Sequence, residues 1–273
     1  MKIIDGRVRL RTKQLLKPWT TDLKPYFKEY IDLYKMKDRL TPIPVDEQIN
    51  IAKKAGVTQM IVCGSMDDTG YIVELAKKHK EIIPVAAINI SRGIHTSLKE
   101  IIQWKKDVAA YHISPFIAKK NANDKMFYPI YAQCEVLKKP IIVHGSIHFW
   151  RDSYMWHGHP QYLDEVAVDF PELKIMISHG GNGFGPNVLA VAQRHPNVYL
   201  EFSALRPKYI APEFIQAANT YLRKKCIFGT DYPLIEFNEQ IELWKYALRE
   251  ENWDFFFHKN ILNALYNDPI SND

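Results

Sequence analysis

Residues 138–150 read KKPIIVHGSIHFW, and this stretch indicates the fold class. Two lysines and a proline lead into the apolar run 141–143, which ends at His144 and Gly145. A short apolar run that stops at a polar residue and a glycine is typical of a buried strand. The stretch therefore predicts a strand that carries His144 at its C-terminal end.

The same pattern recurs twice further along the chain. The apolar run 173–177 leads to His179, and the run 226–228 leads to Asp231. In a parallel α/β sheet the carboxyl ends of the strands meet at one edge, where loops and helix N-termini converge and ligands bind. We therefore expect His144, His179 and Asp231 to lie together at a functional site.

The rest of the chain extends this pattern. Strand-like and helical segments alternate along the 273 residues. Their number fits an α/β fold of the (β/α)8 TIM-barrel type better than an open sheet. No Gly/Ser-rich linker interrupts the chain, so we expect a single domain over residues 1–273. Residues 15–45 are a long connection rich in Pro, Tyr and Lys, which predicts a loop or lid after the first strand. Within it, Leu23, Phe27, Tyr30, Leu33 and Tyr34 have helical spacing.

Composition argues against several classes of function. The net charge is only +5 and the lysines are spread along the helices, which argues against nucleic-acid binding. The three cysteines fall in apolar runs, and an odd number of buried thiols indicates a reducing compartment such as the cytoplasm. No apolar run approaches the roughly 20 residues of a membrane span. The expected partner is a small molecule, with homo-oligomerisation left open.

Four ordered motifs make the chain resemble the amidohydrolase superfamily, and within it the amidohydrolase-2 branch. The motifs are IVHGS at 142–146, HP at 159–160 with YLDEVAVDFPELKIMISHGGNG at 162–183, RHPNVYLEFSA at 194–204 and IFGTDYP at 227–233. This branch contains aminocarboxymuconate-semialdehyde decarboxylase, resorcylate decarboxylases and the pyrone-dicarboxylate lactonase. The resemblance implies a metallo-dependent-hydrolase-like TIM barrel and an enzyme that acts on a small carboxylated substrate.

The resemblance also implies roles for the strand-end residues. In this family a divalent ion is bound by a His-x-His pair at the end of strand one, by the strand-five His and by the strand-eight Asp. The strand-six His lies beside the metal and the substrate. Carried over residue by residue, the resemblance assigns His144 and Asp231 as metal ligands and His179 as a nearby acid or base.

Strand one departs from the family pattern, because Arg7 and Arg9 stand where the family has its His-x-His pair. A guanidinium offers no lone pair at neutral pH, and two of them repel a dication. We therefore expect either no cofactor or one weakly held divalent metal ion, zinc or manganese, on His144 and Asp231. Two interpretations of the arginines stay open: structural ion pairs with Asp231 or Asp5, or binding of a substrate carboxylate.

Two further histidines are candidates for substrate contacts: His112, at the end of the fourth predicted strand, and His148, in the loop after the fifth. The leading hypothesis is a hydrolase acting on a small carboxylated substrate, aromatic or a lactone, with Asp231, His179 and His144 as catalytic residues. It leads because the pyrone-dicarboxylate lactonase indicates that this fold can hydrolyse without a metal. The alternatives are a non-oxidative decarboxylase on the same frame and a non-catalytic barrel that binds an anionic metabolite.

Overall fold

The computed structural model describes residues 1–21 and 23–266. Residue 22 of the predicted lid and residues 267–273 of the predicted domain lie outside the described residues. Within the described residues, eight parallel strands form one sheet in the order β1 to β8, which confirms the predicted TIM barrel. The strands span Ile3–Val8, Val57–Val62, Ile82–Ile88, Ala110–Ile113, Ile141–His144, Ile175–Ser178, Val198–Glu201 and Cys226–Ile227.

The two ends of the sheet meet at a seam between β8 and β1. The Gly6 amide donates to the Phe228 carbonyl at 2.9 Å, and the Asp231 amide donates to the Arg7 carbonyl at 3.0 Å. A Cβ added at Gly6 would lie 2.7 Å from the Phe228 carbonyl oxygen, so this approach requires glycine. The seam therefore brings Arg7 beside the loop that carries Asp231.

Helices alternate with the strands and cover the outside of the barrel. In the described part of the chain, α1 to α12 span Lys13–Thr20, Pro25–Leu33, Val45–Lys54, Thr69–Lys78, Ile94–Trp104, Pro115–Ala118, Tyr128–Val136, Tyr162–Asp169, Asn187–Arg194, Pro212–Asn219, Phe237–Ala247 and Asn260–Tyr266. A short π-helix, Phe255–Lys259, leads into α12.

Two apolar layers hold the barrel together. Successive side chains of a strand point to opposite faces of the sheet, so each strand contributes to both layers. The larger layer lies between the strands and the helices. The smaller layer fills the barrel interior with residues that include Ile4, Ile61, Val85, Ile142 and Met176. Because the strands are buried on both faces, a polar side chain on them is exceptional and points to a specific role.

The connection after β1 is mostly helical, in keeping with the helical spacing within residues 15–45. It contains α1, α2 and a short 3-10 turn at Lys37–Leu40. Phe27, Tyr30 and Ile31 are buried on one face of α2, at the i, i+3, i+4 spacing of an amphipathic helix. Aromatic side chains of this segment reach the C-terminal end of the barrel and line a cavity there.

The three strands that indicate the fold lie where the sequence places them, with small shifts at their ends. β6 begins at Ile175 rather than at residue 173, and β8 is only two residues long. Cys63, Cys134 and Cys226 are buried and free. None of the helices that the structure describes is long and apolar enough to cross a membrane.

Candidate active site

A cavity of about 460 Å³ opens at the C-terminal end of the barrel. The structure brings every residue singled out in the sequence to its wall: Arg7, Arg9, His112, His144, His148, His179 and Asp231. Aliphatic residues and eight aromatic ones contribute much of the remaining wall; the aromatic residues are Trp19, Phe27, Tyr30, Tyr34, Phe116, Phe127, Phe149 and Trp150. One end of the cavity therefore carries charges and imidazoles, and its sides are apolar.

Arg7 and Asp231 form an ion pair across the seam. Arg7 Nε donates to Asp231 Oδ1 at 3.2 Å, and the two side chains are 14% and 28% exposed. Arg7 Nη1 lies 3.5 Å from Ser178 Oγ at the end of β6. Asp231 Oδ2 has no hydrogen-bond partner among the described residues. One carboxylate oxygen is thus fixed by the guanidinium, while the other is free to accept a hydrogen bond.

Arg9 lines the same cavity but has no carboxylate partner in the part of the chain that the structure describes. Its Nη1 lies 3.5 Å from the Leu15 carbonyl oxygen, and its guanidinium carbon lies 5.9 Å from the centre of the Trp19 ring. Burial and then the charge of Arg7 lower the pKa of Arg9. A cation held away from bulk water without an anion is costly. Arg9 is therefore available to an anionic ligand.

His179 is held from behind by residues at the end of β7. Its Nδ1 lies 3.1 Å from the Ser203 carbonyl oxygen and 2.9 Å from Ser203 Oγ. Ser203 Oγ lies 2.8 Å from Glu201 Oε2, and the Ser203 amide donates to Glu201 Oε1. Burial lowers the pKa of His179 to about 4 and raises the pKa of Glu201 to about 8. At neutral pH the imidazole is therefore uncharged, and the carboxyl behind it holds a proton.

Asp5 fixes the loop that carries Asp231. It accepts hydrogen bonds from the Thr230 amide at 3.0 Å, the Thr230 hydroxyl at 2.6 Å and the Arg7 amide at 3.0 Å. Burial nevertheless raises the pKa of Asp5 to about 7. These contacts tie the end of β1 to the loop after β8, so the spacing of Arg7 and Asp231 is set by the backbone.

His144 and His112 add two further uncharged imidazoles. The ring centres of His144 and His179 lie 4.8 Å apart, and His144 Nε2 lies 3.1 Å from Ser146 Oγ. Burial lowers the pKa of His112 and of His144 well below the usual value for histidine. His112 Nε2 is buried and has no hydrogen-bond partner among the described residues, so it is available to a polar group of a ligand.

Aromatic rings form the wall and the outer rim of the cavity. Phe116 stacks on His148 with ring centres 4.4 Å apart. Tyr30 of α2 lies 4.3 Å from Phe149, measured between ring centres, so the segment after β1 packs on the loop after β5. A flat apolar wall of this kind fits a planar ring.

The residues present do not fit a tightly bound metal ion. Among the described side chains, no group of three His, Cys, Asp or Glu converges as a metal centre requires. Of the ligands that the resemblance implies, Asp231 is engaged by Arg7, and His144 Nε2 is within hydrogen-bond distance of Ser146. A divalent ion at this place would have two protein donors and face two guanidinium groups.

Glu201 and Ser203 are not among the residues predicted for the site. Asp5, a predicted alternative partner of the arginine side chains, instead accepts from the Arg7 amide and from Thr230. Glu201 is fully buried on β7, within the otherwise apolar run VYLEF. An acidic residue in a strand that is buried on both faces is costly unless it has partners. The sequence RHPNVYLEFSA therefore already shows an acidic residue, Glu201, within an apolar strand. Such a residue is expected to have buried hydrogen-bond partners.

Comparisons with solved structures find the same fold over nearly the whole chain. An uncharacterized TIM-barrel protein from Bordetella bronchiseptica is 22% identical with a TM-score of 0.76, and the match covers 97% of this chain and 98% of that one. The 2,6-dihydroxybenzoate decarboxylase from Rhizobium is 15% identical with a TM-score of 0.69, with 97% and 100% covered. The 5-carboxyvanillate decarboxylase from Novosphingobium aromaticivorans, complexed with manganese and 4-hydroxy-3-methoxy-5-nitrobenzoic acid, is 11% identical with a TM-score of 0.73, with 96% and 95% covered. At these identities the likeness shows the fold alone.

A comparison with family models gives a match to Amidohydrolase (Amidohydro_2) over residues 49–265. The match includes the histidines and the aspartate of the cavity and begins after both arginines. The end of strand one, where the site departs from the pattern of the resemblance, thus lies outside the matched residues. No curated protein matches the chain significantly.

Proposed function

The chain belongs to the amidohydrolase family, and from this premise we propose that it hydrolyses a small planar substrate that carries a carboxylate, such as an aromatic lactone. The observation that carries the proposal is Arg9, a guanidinium in the cavity without a carboxylate partner among the described residues. A guanidinium binds a carboxylate through paired, charge-assisted hydrogen bonds. The aromatic wall supports a ring attached to that carboxylate.

In this proposal Asp231 is the general base. Arg7 holds Oδ1 and keeps the carboxylate oriented, while Oδ2 can accept a proton from an attacking water. His179 presents Nε2 to the substrate, because its Nδ1 is engaged with Ser203. It polarises the carbonyl and exchanges a proton with the leaving oxygen. His144, beside His179, completes the polar end of the cavity.

Two further histidines contact polar substituents of the substrate in this proposal. His112 offers a buried Nε2 and His148 a buried Nδ1, neither with a hydrogen-bond partner in the described residues. A buried polar atom is satisfied when a ligand supplies the missing partner, and a ligand that lacks the matching group is rejected. These residues therefore bear on which substrate is accepted.

We propose that the reaction needs no metal. At most one divalent ion, zinc or manganese, is weakly held on His144 and Asp231, because no third donor converges there among the described residues and the two arginines oppose it. Manganese is present in the complex of the 5-carboxyvanillate decarboxylase, a protein 11% identical to this chain. The roles given to Asp231, His179 and Arg9 do not depend on an ion.

Non-oxidative decarboxylation is the second candidate. It is favoured by the two aromatic-acid decarboxylases that share the fold. The charges of the cavity favour hydrolysis, because a carboxylate bound by guanidinium groups is stabilised in the ground state more than in a transition state that leads to uncharged CO2. In hydrolysis the carboxylate stays intact, so the guanidinium groups bind it in the ground state and in the transition state.

Turnover on matched substrates tests the proposal. Carboxylated aromatic lactones and 2,6-dihydroxybenzoate are compared, with acid release reporting hydrolysis and CO2 release reporting decarboxylation. Asp231→Asn should lower kcat about 100-fold or more, whereas Asp107→Asn, at an exposed residue, should leave it unchanged. Equal turnover by the wild type and Asp231→Asn would contradict the role of Asp231. Thermal stabilisation by these compounds without turnover would support the non-catalytic barrel.

A further inference from the structure

A connected row of polar groups runs from the cavity into the barrel interior behind His179. It passes from His179 Nδ1 to Ser203 Oγ at 2.9 Å and from there to Glu201 Oε2 at 2.8 Å. Ser203 and Glu201 have no exposed surface. Each neighbouring pair is within hydrogen-bond distance, so a proton can pass along the row.

Two glycines of the seam make room for the Glu201 carboxyl. A Cβ at Gly229 would lie 2.2 Å from Glu201 Oε1, and a Cβ at Gly6 would lie 3.1 Å from Glu201 Cγ. Real Cβ contacts do not approach 2.2 Å, so a side chain at residue 229 and this carboxyl position exclude each other. The backbone of β1 and of the loop after β8 thus forms a compartment that fits Glu201.

The charges around the row decide where a proton lies. Burial lowers the pKa of His179 to about 4, with Arg7 lowering it and Asp231 raising it. Burial raises the pKa of Glu201 to about 8, with Arg7 and Ser203 lowering it and Asp231 raising it. His179 is therefore a poor place for a positive charge at neutral pH, whereas Glu201 can both hold and release a proton there.

We propose that Glu201 is a positioning residue that supplies, through Ser203 and His179, the proton taken up by the leaving oxygen of the substrate. This inference rests on the hydrolytic role proposed for His179. The Glu201 Oε2–H bond breaks as a Ser203 Oγ–H bond forms, and the former Ser203 hydroxyl proton moves to His179 Nδ1. The His179 Nε2–H bond breaks as an O–H bond forms on the leaving oxygen. His179 is uncharged before and after, and Glu201 ends as a carboxylate.

The relay couples the charge of Glu201 to the tautomer of His179. When Glu201 is protonated, its Oε2 donates to Ser203 Oγ and the Ser203 hydroxyl donates to Nδ1, which leaves the ring hydrogen on Nε2. When Glu201 is ionised, the Ser203 hydroxyl donates to the carboxylate and Nδ1 donates to the Ser203 oxygens, which leaves a lone pair on Nε2. The tautomer of His179 should therefore change as Glu201 titrates.

Nitrogen NMR of the protein labelled with 15N-histidine, without substrate, tests this coupling. His179→Gln assigns the His179 signals among those of the ten histidines. In the wild type the ring hydrogen should lie on Nε2 at pH 6.5 and move to Nδ1 at pH 9.5, on either side of the Glu201 pKa of about 8.

Two variants should fix opposite tautomers at both pH values. Glu201→Gln presents an amide N–H to Ser203 Oγ, so the Ser203 hydroxyl donates to Nδ1 and the ring hydrogen stays on Nε2. Ser203→Ala removes the hydroxyl but leaves the backbone carbonyl 3.1 Å from Nδ1, so the hydrogen stays on Nδ1. A merely structural role of Glu201 gives no reason for opposite tautomers. If Glu201→Gln does not fold, the wild type and Ser203→Ala still show whether the tautomer of His179 depends on Ser203 and on pH.

One tautomer in the wild type at both pH values, or Ser203→Ala following pH as the wild type does, would overturn the relay. Because no substrate is present, this result is independent of whether the protein turns over any lactone. Where turnover is found, Glu201→Gln and Ser203→Ala should each lower kcat about 100-fold with little change in KM. The alkaline fall of kcat near pH 8, at the Glu201 pKa, should disappear in both variants.

Discussion

Replacing Arg9 with methionine should weaken the binding of a carboxylate and leave the protein at least as stable as before, because an unpaired guanidinium that is partly buried is itself costly. The change removes a 3.5 Å contact with the Leu15 carbonyl and a 5.9 Å cation–π contact with Trp19. These contribute no more than about 1 kcal/mol, and the lost repulsion from Arg7 offsets part of that. A charge-assisted hydrogen bond to a ligand contributes about 1.5–3 kcal/mol. The Kd of a carboxylate ligand should therefore rise about 10- to 150-fold.

Calorimetric titration with 2,6-dihydroxybenzoate and with resorcinol, which lacks the carboxylate, measures this effect. Arg9→Met should lose affinity for the acid and keep its affinity for resorcinol. The matched variant Arg7→Met removes the partner of Asp231, a carboxylate with 28% of its side chain exposed. It should lower the free energy of unfolding by about 1–3 kcal/mol, less than for a fully buried pair. Equal affinity of the wild type and Arg9→Met for the acid would refute the role of Arg9.

Gly229→Ala should lower the free energy of unfolding by about 1–3 kcal/mol in urea titrations, because the new Cβ would lie 2.2 Å from Glu201 Oε1. Gly70→Ala, in α4, is the control: its Cβ would meet no atom closer than 3.4 Å, so it should not lower the free energy of unfolding and can raise it by up to about 1 kcal/mol. Glu201 should add a downward slope to the free energy of unfolding between pH 6.5 and 8, on top of the slopes of Asp5 and the histidines, because it keeps its proton up to a pKa of about 8 in the folded protein but only to about 4.5 when unfolded. Glu201→Gln should flatten this slope, and an unchanged slope would contradict the raised pKa. Chelator should leave wild-type turnover unchanged, while the double variant Arg7→His with Arg9→His should retain manganese through dialysis, as elemental analysis would show. Stoichiometric manganese in the wild type after dialysis would contradict the proposal that His144 and Asp231 hold a metal ion only weakly.

The fold and the main residues of the cavity could be predicted because each strand-end residue interrupts an apolar run. His144, His179 and Asp231 are polar residues directly after hydrophobic segments, and parallel strands leave such residues at one edge. The alternation of strands and helices along the chain then predicts the barrel, because the order of the elements is enough to indicate this fold. The buried face of α2 follows in the same way from the spacing of its aromatic residues.

The pairing of these residues could not be predicted, because it depends on strand register. The register of β6 and β7 places Ser178 opposite Glu201, and so brings Glu201 and Ser203 behind His179. Asp231 pairs with Arg7 and not with Arg9, and this also depends on the end of β1. Arg7 lies within the strand, whereas Arg9 follows its last residue, Val8. One sequence gives the period of each strand but not the offset between neighbours.

The seam between β8 and β1 also sets the order in which the cavity is completed during synthesis. Arg7 leaves the ribosome more than 200 residues before Asp231, so the nascent chain carries the cationic half of the cavity long before its carboxylate arrives. Until β8 docks, the Gly6 amide and the Arg7 carbonyl lie on an unpaired sheet edge, which is open to pairing with other chains. A polypeptide released before residue 226 therefore carries an aggregation hazard and no complete cavity. Only the docking of the last strand removes the hazard and completes the ion pair, and it does both in the same step.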